Sequence, residues 1–497
     1  MKNASDTTEE TAYISKKEYD DLLDKYRDVA GQLAELKRLI FGSKSERFVS
    51  TALLGQLGLF GEASQESSSS AEKQVLRQTK VKIKPKKVAK RAILPAHLPR
   101  VEEIIEPKNL TQDSVKIGEE VTEILEYNPA KLFVRRIVRP KYALKDYAGV
   151  IIGELPSLPL PKSNAGAGLL AHILVSKFVD HLPFYRQRQI FKRQQYQVSD
   201  ATLSGWFNAA TSLLEPLYDV LTKELLQSNY LQVDESPIGV QDSYKTGSLH
   251  TGYHWVYHAP VEGLVLFKYD ATRSIKAPQT ILKNYKGTLQ SDGYKVYQNL
   301  ATAQQLKLLS CMAHARRYFE KALDNDHSRA SYAMEQFQKL YGLEANIREH
   351  NATSKVIKRY RNRYAKPILD TFYDWLVQQR SQLLPKSSIA KAVGYTLRLW
   401  KYLIGYLEDG KYLIDNNKIE NTIRPLALGR KNYLFAGSHK AAQKAAMMYS
   451  FFATCKINNV EPFAWLHDIF KKIPEHKANK LHELLPQNWK NNSIENC

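Results

Sequence analysis

The sequence predicts an α/β core built on a mixed sheet, and three observations predict it. Residues 230–240 (YLQVDESPIGV), 252–259 (GYHWVYHA) and 263–270 (GLVLFKYD) are apolar runs of strand length with short connections, the opening of a β-meander. A helical segment near 275–285 leads to a fourth strand, GTLQSD (287–292), and a fifth, KLLSCMA (307–313), passes into a helix, HARRYFEKALDN. The first of these strands carries Asp234 and the fourth ends on Asp292. Three strands, helix, strand, helix, strand, helix is the order of an RNase H-like fold, with a mixed five-stranded sheet; the link between strands four and five carries the weakest signal.

The chain has 497 residues, with 72 Lys plus Arg against 51 Asp plus Glu, a formal charge of +21. That length predicts several domains. The excess predicts attraction to polyanions, because each neutralised phosphate of a nucleic acid releases condensed counterions. Ribosome-like or membrane-surface binding suits the charge equally. Cys311, Cys455 and Cys497 are far apart and odd in number, so neither a disulfide framework nor a CxxC metal site can be built from them. No apolar run approaches the ~18 residues of a membrane span, and MKNASDTTEE is unlike a secretory signal. A soluble, intracellular protein with no membrane partner is the expectation.

Before the core, residues 15–47 place Tyr19, Leu22, Tyr26, Val29, Leu33, Leu36 and Ile40 three and four apart, the seam of a leucine-zipper-like coiled coil or of an amphipathic helix on its own core. Charged residues between them (Lys25, Arg27, Asp28, Glu35, Lys37, Arg38) favour self-association. A linker over 48–98 has Ser67–Ser70 at its centre and a basic run from Arg77 to Arg91, either a solvated segment or one that tracks a DNA backbone. Alternation within 121–144 predicts a small β-rich module over 99–155, and Gly and Pro cluster around 155–168 as a boundary.

Residues 156–226 are helical in pattern: GLLAHILVSKFVDHL, then PFYRQRQIFKRQQ, then a break at 196–198, then SDATLSGWFNAATSLL. Pro183 suits a first turn, and Ser199 or Asp200 a cap. Two short helices around a tight turn, with Arg186, Arg188, Lys192 and Arg193 on the first, fit a helix-turn-helix that binds DNA as well as an ordinary helical hairpin.

The catalytic core is expected over 227–450. A helical insertion at about 328–412 includes IKRYRNRYAK, which interleaves Lys358, Arg359, Arg361, Arg363 and Lys366 with Tyr360 and Tyr364, a composition suited to backbone and base-stacking contacts. Residues 451–497 form a C-terminal domain.

Asp234 in LQVDES, Asp292 in LQSDGY and Glu420 in NNKIENTIRPLALGRKN are the candidate catalytic and metal-binding residues. In-line displacement at a phosphodiester uses two metal ions about 3.5 to 4 Å apart, and Mg²⁺ or Mn²⁺ takes oxygen ligands. Asp234 is the candidate bridging ligand, with Asp292 and Glu420 each holding one ion. Glu235 should face away if strand alternation holds. Asp415, Asn416 or Asn417 can cap a helix whose first turn carries Glu420, with Arg424 on the same face, and Pro425 should end or kink it. Arg316, Arg317, Arg424, Arg430 and Lys431 are candidate phosphate contacts, and His314 a supporting residue, structural at a helix start in the plainer reading.

These residues carry a resemblance. FGSKSER (41–47), IGEEVTEILEYNPAKLFVRRIVRPKYA (117–143), LPFYRQ (182–187), VDES, SDGY, CMAHARRYF, NNKIENTIRPLALGRKNYLFAGS (416–438) and CKINNVEPFAWLHDIF (455–470) resemble, in order, the transposases of insertion-sequence family sixty-six, bacterial DDE enzymes of the RNase H-like class. The resemblance implies that Asp234, Asp292 and Glu420 are the DDE triad. It implies two Mg²⁺ or Mn²⁺ ions and, as substrate, the terminal inverted repeats of a mobile element, freed at their 3′ ends and joined to target DNA. It further implies at least a dimer, a cytoplasmic, nucleoid-associated location, and small companion proteins in many elements. The family's module near 99–155 is a zinc-binding one with paired cysteines; here the corresponding stretches, IEPKNLTQDS and PKYALKDYAGV, have none, so no zinc is expected. A catalytically silent DNA-binding protein acting as a repressor, and a nuclease that cuts without joining, are the rival readings.

Overall fold

A computed structural model describes residues 132–134, 141–143, 150–152, 157–161, 163–241 and 248–489. The chain divides into two compact units, one formed by residues 44–136 and the other by residues 1–43 and 137–497. Of the first, only Leu132, Phe133 and Val134 are described, and all three are exposed. The expected coiled coil, the basic linker and most of the β-rich module lie outside the described residues. Within that stretch one antiparallel pair is described, β1 (Lys141–Ala143) with β2 (Val150–Ile152).

Three helices follow: α1 (Ala167–Phe178), α2 (Phe184–Arg193) and α3 (Asp200–Leu226). Ser199 caps α3 as expected, its hydroxyl accepting from the Thr202 amide at 3.0 Å. The turn before it is closed by Arg188, which donates to the Val198 carbonyl at 3.1 Å and pairs with Asp200. Gln195 takes the left-handed conformation there, with φ 59°. The second helix of this pair is not short: it runs 27 residues and buries Leu203, Trp206, Phe207, Leu214, Leu217, Leu221 and Leu225 along one face.

The central sheet is ordered β5-β4-β3-β6-β7, with β8 also on β3. Its strands are β3 (Tyr230–Gln241), β4 (Leu249–Ala259), β5 (Leu264–Asp270), β6 (Thr288–Ser291), β7 (Lys307–Ser310) and β8 (Phe435–Ala436). The first three form the expected antiparallel meander, and β6 and β7 add in parallel. The sheet therefore has six strands rather than five, because Gly239 and Val240 of β3 pair with Phe435 and Ala436. The crossovers are α4 (Lys276–Ile281), shorter than expected, and α5 (Lys295–Gln304), the weakly signalled link. Strand β7 stops at Ser310: Met312 already belongs to α6 (Met312–Glu320).

The region expected as a helical insertion is α7 (His327–Glu349), α8 (Ser354–Tyr360), a π turn (Arg361–Ala365), α9 (Lys366–Arg380), α10 (Ser388–Leu403) and a 3₁₀ turn (Ile404–Glu408). Together with α6 it has its own core around Phe319, Phe337, Phe372, Leu376 and Leu399. The chain returns through α11 (Asn417–Tyr433), then α12 (His439–Ile457) and α13 (Pro462–Lys472). Pro425 does not end α11, which continues through Tyr433. Helix α12 runs through residue 450 and covers the outer edge of the sheet, where the Ser450 and Thr454 hydroxyls accept from the Phe267 and Val265 amides of β5 at 2.8 and 3.2 Å. An edge strand's unpaired donors are thereby satisfied by side chains.

Candidate active site

Register brings the two aspartates to one place. Pairing of β3 with β6 ends at Gln232 and Gln290, which are direct partners, and Asp234 and Asp292 each lie two residues beyond. With a side-chain period of two, each aspartate starts from the same face as its glutamine. Between residue 232 and the pairing with β8 at Gly239, this edge of β3 has no strand partner, so the notch at Asp234 is open to α11.

The glutamines hold the third component. Gln232 donates to the Gln290 side-chain oxygen and to the Asp415 carbonyl, both at 2.9 Å, and Gln290 donates to the Leu413 carbonyl at 2.8 Å. The Tyr230 hydroxyl donates to Gln290 at 2.5 Å and accepts from the Leu413 amide at 3.2 Å. From α6, the Met312 amide donates to the Ile414 carbonyl at 3.1 Å, and Tyr341 of the insertion donates to the Asp415 carboxylate at 2.8 Å. The segment 413–415 is thus fixed from several sides immediately before α11. Glu420, one turn into α11, follows from that anchoring. Of the three expected caps, Asn416 occupies the cap position without a side-chain cap bond, its amide group buried without a hydrogen-bond partner.

Backbone bonds orient the aspartates. One Asp234 oxygen accepts from the Glu235 amide at 2.8 Å, and Asp292 accepts from the Tyr294 amide at 2.9 Å. Glu235 points to the other side, as alternation predicts: it stands opposite Trp255, accepts from Tyr297 at 2.9 Å and pairs with Arg273 at 2.5 Å. The turn after Asp292 is gripped by the insertion, since Tyr395 of α10 donates to the Asp292 carbonyl. Gly293, with φ +93°, lets it close: a Cβ there would lie 2.6 Å from Leu399 Cδ1 and 2.9 Å from the Tyr395 hydroxyl.

Burial first, and then the charges of Asp292 and Glu235, push the Asp234 carboxyl up to about 8, with a smaller contribution from Glu420. A buried carboxyl whose proton affinity is raised by neighbouring carboxylates marks a cation site in electrostatic terms, and an all-oxygen donor set suits a hard divalent ion. Glu420 is engaged by a cation. One Arg317 nitrogen donates to both its oxygens, at 2.8 and 2.7 Å, and His314 Nε2 lies 3.8 Å from it. Burial and then Arg317 hold His314 below the usual imidazole range. Among the described residues, no group of three His, Cys, Asp or Glu side chains is already arranged around a metal position.

Of the other candidates, Arg316 pairs with Glu320 at 3.4 Å, Arg424 is exposed on α11, and Lys431 is exposed on its last turn. Arg430 is not on a loop: it donates back to the Pro237 carbonyl of β3. Lys192 and Arg193 are exposed at the end of α2, whereas Arg186 reaches Asn432 at 3.1 Å and Arg188 closes the turn. Arg361 is buried, so it leaves the row of cations in which the sequence places it. Tyr230, Gln232, Gln290 and Tyr395 are absent from the sequence-based candidates. The signal for the glutamines is the repeat of Leu-Gln-x-Asp at both aspartates.

A family model described as Transposase IS66 family matches residues 162–444, a stretch that contains all three carboxylates and the insertion. The chain belongs to the IS66 transposase family. Further models of that family match residues 450–487 (IS66 C-terminal element), 30–102 (Transposase C of IS166 homeodomain) and 111–143 (zinc-finger binding domain of transposase IS66). The last stretch contains neither cysteine nor histidine in this chain. The chain is similar to three proteins of Sinorhizobium fredii (strain NBRC 101917 / NGR234) that are described as uncharacterized. It is 31% identical to y4hP over 92% of this chain and 88% of the relative. The figures for y4jD are 30% identity over 94% and 95%, and for y4qI 29% over 93% and 89%. IS66 membership implies transposase function, DNA as partner and use of a divalent metal ion. Among the described residues, no helix is long and apolar enough to cross a membrane.

Proposed function

We propose that this IS66 chain is a DDE transposase with an RNase H-like core, which cleaves the 3′ ends of a mobile element at its terminal inverted repeats and joins them to target DNA. The observation that carries the reading is the placement of Asp234 and Asp292 two residues beyond one strand pair, with Glu420 on the helix facing the same notch. Asp234 and Asp292 would hold Mg²⁺ or Mn²⁺, two ions being expected, with Glu420 joining after release from Arg317. Such ions supply charge stabilisation for the attacking and leaving oxygens of a phosphodiester.

The protein's own groups do the rest. Tyr395 and the Gly293 turn fix Asp292, the glutamine pair fixes the entry to α11, and Arg316, Arg317, Arg424 and Lys431 are the cations that grip phosphates in this reading. Synapsis of two ends calls for at least a dimer, with residues 15–47 as the self-association element and companion proteins as further partners in a nucleoid-associated, cytoplasmic setting. Residues 156–226 bind the ends in this reading, and zinc has no role.

The test is a Mg²⁺-dependent cleavage and strand-transfer assay on DNA carrying the element's own ends, with Asp234→Ala, Asp292→Ala and Glu420→Ala. Joined products that vanish in all three variants while DNA binding persists are the expected result. The Arg317–Glu420 pair favours one rival, a DNA-binding repressor without activity, and wild-type protein that binds the ends but neither cuts nor joins them would establish it. Cutting without joining would identify a nuclease.

A further inference from the structure

A second feature of the molecule lies in the insertion, away from the three carboxylates. Helix α8 and the π turn after it present Lys355, Lys358, Arg359 and Arg363 outward, all exposed. Their spacings, three and four residues apart, make one stripe. None of the four forms an ion pair with another described residue, whereas Lys366, at the end of the stripe, is taken by Asp370 at 2.7 Å. Lys411 is exposed nearby, and the charges of Lys411 and Lys358 help hold Asp409 below the usual carboxylate range, after its bonds to the Lys411 amide and Ser354.

The opposite side of the same turn is built to hold the stripe in place. Arg361 is buried and pairs with Glu344 through two bonds of 2.8 Å, while donating to the carbonyls of Tyr406, Asp409 and Tyr412 at 3.1, 3.2 and 2.9 Å. Burying a guanidinium costs several kcal/mol unless its donors are matched, and here they are. A π turn widens the helix locally, and such turns are rare and frequently sit at functional sites. Arg363 lies over the ring of its neighbour Tyr364 at 5.6 Å; Tyr364 is 46% exposed, and its ring lies 4.7 Å from that of Tyr360.

We infer that the face formed by Lys355, Lys358, Arg359, Arg363 and Tyr364 is a second DNA-binding surface, which takes the phosphate backbone without regard to sequence. It rests on the reading of this chain as a DNA enzyme and adds the place at which the insertion engages its substrate. Unneutralised cations on a rigid, pinned turn suit a polyanion. Residues four apart on a helix rise about 6 Å, so neighbouring cations reach alternate phosphates of a strand whose charges recur about every 3.4 Å. Tyr364 offers a ring at the end of the row for an exposed base.

The experiment measures binding of full-length protein to a short random-sequence duplex over a range of salt concentrations. Lys358→Gln, Arg359→Gln and Arg363→Gln are combined, and compared with a control that removes the same charge about 20 Å or more along the insertion: Arg380→Gln, Lys386→Gln and Lys391→Gln, all at exposed positions. The first triple should lower the slope of log affinity against log salt by about 2 to 3 and weaken binding at least tenfold at low salt. The control should leave the slope within about one unit of wild type. Equal losses in both triples would mean that only net charge matters, and no loss in the first would mean that DNA does not touch this face; either overturns the inference. The duplex carries no element end, so the outcome is independent of whether the protein cleaves.

Discussion

Arg317 and Glu420 form a two-point ion pair in which a single guanidinium nitrogen serves both carboxylate oxygens, at 2.8 and 2.7 Å. Both groups are partly exposed, so the pair contributes little stability, on the order of 1 kcal/mol or less. Its consequence is competition. A divalent cation that recruits Glu420 must displace Arg317. Arg317→Gln is therefore expected to tighten Mn²⁺ binding several-fold, measured by calorimetry, while the melting temperature hardly moves. Weaker binding in the variant would show that Arg317 orients Glu420 for the metal instead.

Asp234 sets a pH dependence whose sign is fixed. Its folded pKa of about 8 lies far above the ordinary carboxylate value, so metal-free folded protein holds a proton that the unfolded chain has lost. Stability from this group is complete below about pH 4 and is lost as pH rises through 8. Asp234→Asn should therefore abolish cleavage yet stabilise metal-free protein by about 2 kcal/mol or more at pH 8. Mg²⁺ should stabilise wild type at that pH and not the variant. Denaturant melts at pH 5 and 8, with and without Mg²⁺, decide it; equal stability of wild type and variant at pH 8 would reject the reading.

Much of the core is legible in the sequence because local pattern and final contacts agree. The meander, the strand leading to Asp292 and the capped start of α3 follow from apolar runs and Ser199. What stays hidden is non-local. The two-residue strand Phe435–Ala436 exists because β3 offers it an edge, not because two residues signal a strand. Pro425 lies nine residues into a helix held at both ends, where tertiary contacts outweigh the local preference to stop. Arg361 reads as one more surface cation until Glu344, 17 residues earlier, is seen to accept it. Tyr395 is over a hundred residues from the aspartate it grips.

That grip gives a third prediction. The Tyr395 hydroxyl fixes the Asp292 carbonyl, and its ring is stacked on Tyr318 with centroids 4.3 Å apart, so Tyr395→Phe keeps the packing and loses one bond. Fold stability should fall by about 1 kcal/mol. Mn²⁺ affinity should fall about tenfold, because the turn that presents the carboxylate is no longer gripped. Gly293→Ala should cost more on both measures, since its Cβ meets Leu399 and Tyr395 and its φ is +93°. Unchanged Mn²⁺ binding in both variants would separate the insertion from the site.

Acid stability turns on two buried histidines. His254 and His258 on β4 are both pushed down to about 3 by burial, helped by the charges of Arg430 and Lys418 respectively. A depressed folded pKa means stability that is present above the unfolded value of about 6.5 and is lost as pH falls toward 3. The protein should therefore lose several kcal/mol between pH 6.5 and pH 4. His254 has no hydrogen-bond partner for either ring nitrogen, so His254→Phe should flatten the slope without new unsatisfied groups. A denaturation midpoint that falls as steeply in the variant would locate the acid lability elsewhere.

Arg361 offers a test of what a buried ion pair is for. Removing it alone, as Arg361→Leu, strands the Glu344 carboxylate and three carbonyls, and should cost about 3 to 5 kcal/mol. In a simple buried pair, Glu344→Leu on the same background would restore most of that loss. Here the carbonyls of Tyr406, Asp409 and Tyr412 lose their donor in either variant, so the double change should recover only part and leave a deficit of at least about 1 to 3 kcal/mol. Full recovery would mean that water satisfies those carbonyls at no cost and that Arg361 matters only to Glu344. Partial recovery would identify it as the tie between the π turn and the segment that leads back to α11, and hence to Glu420.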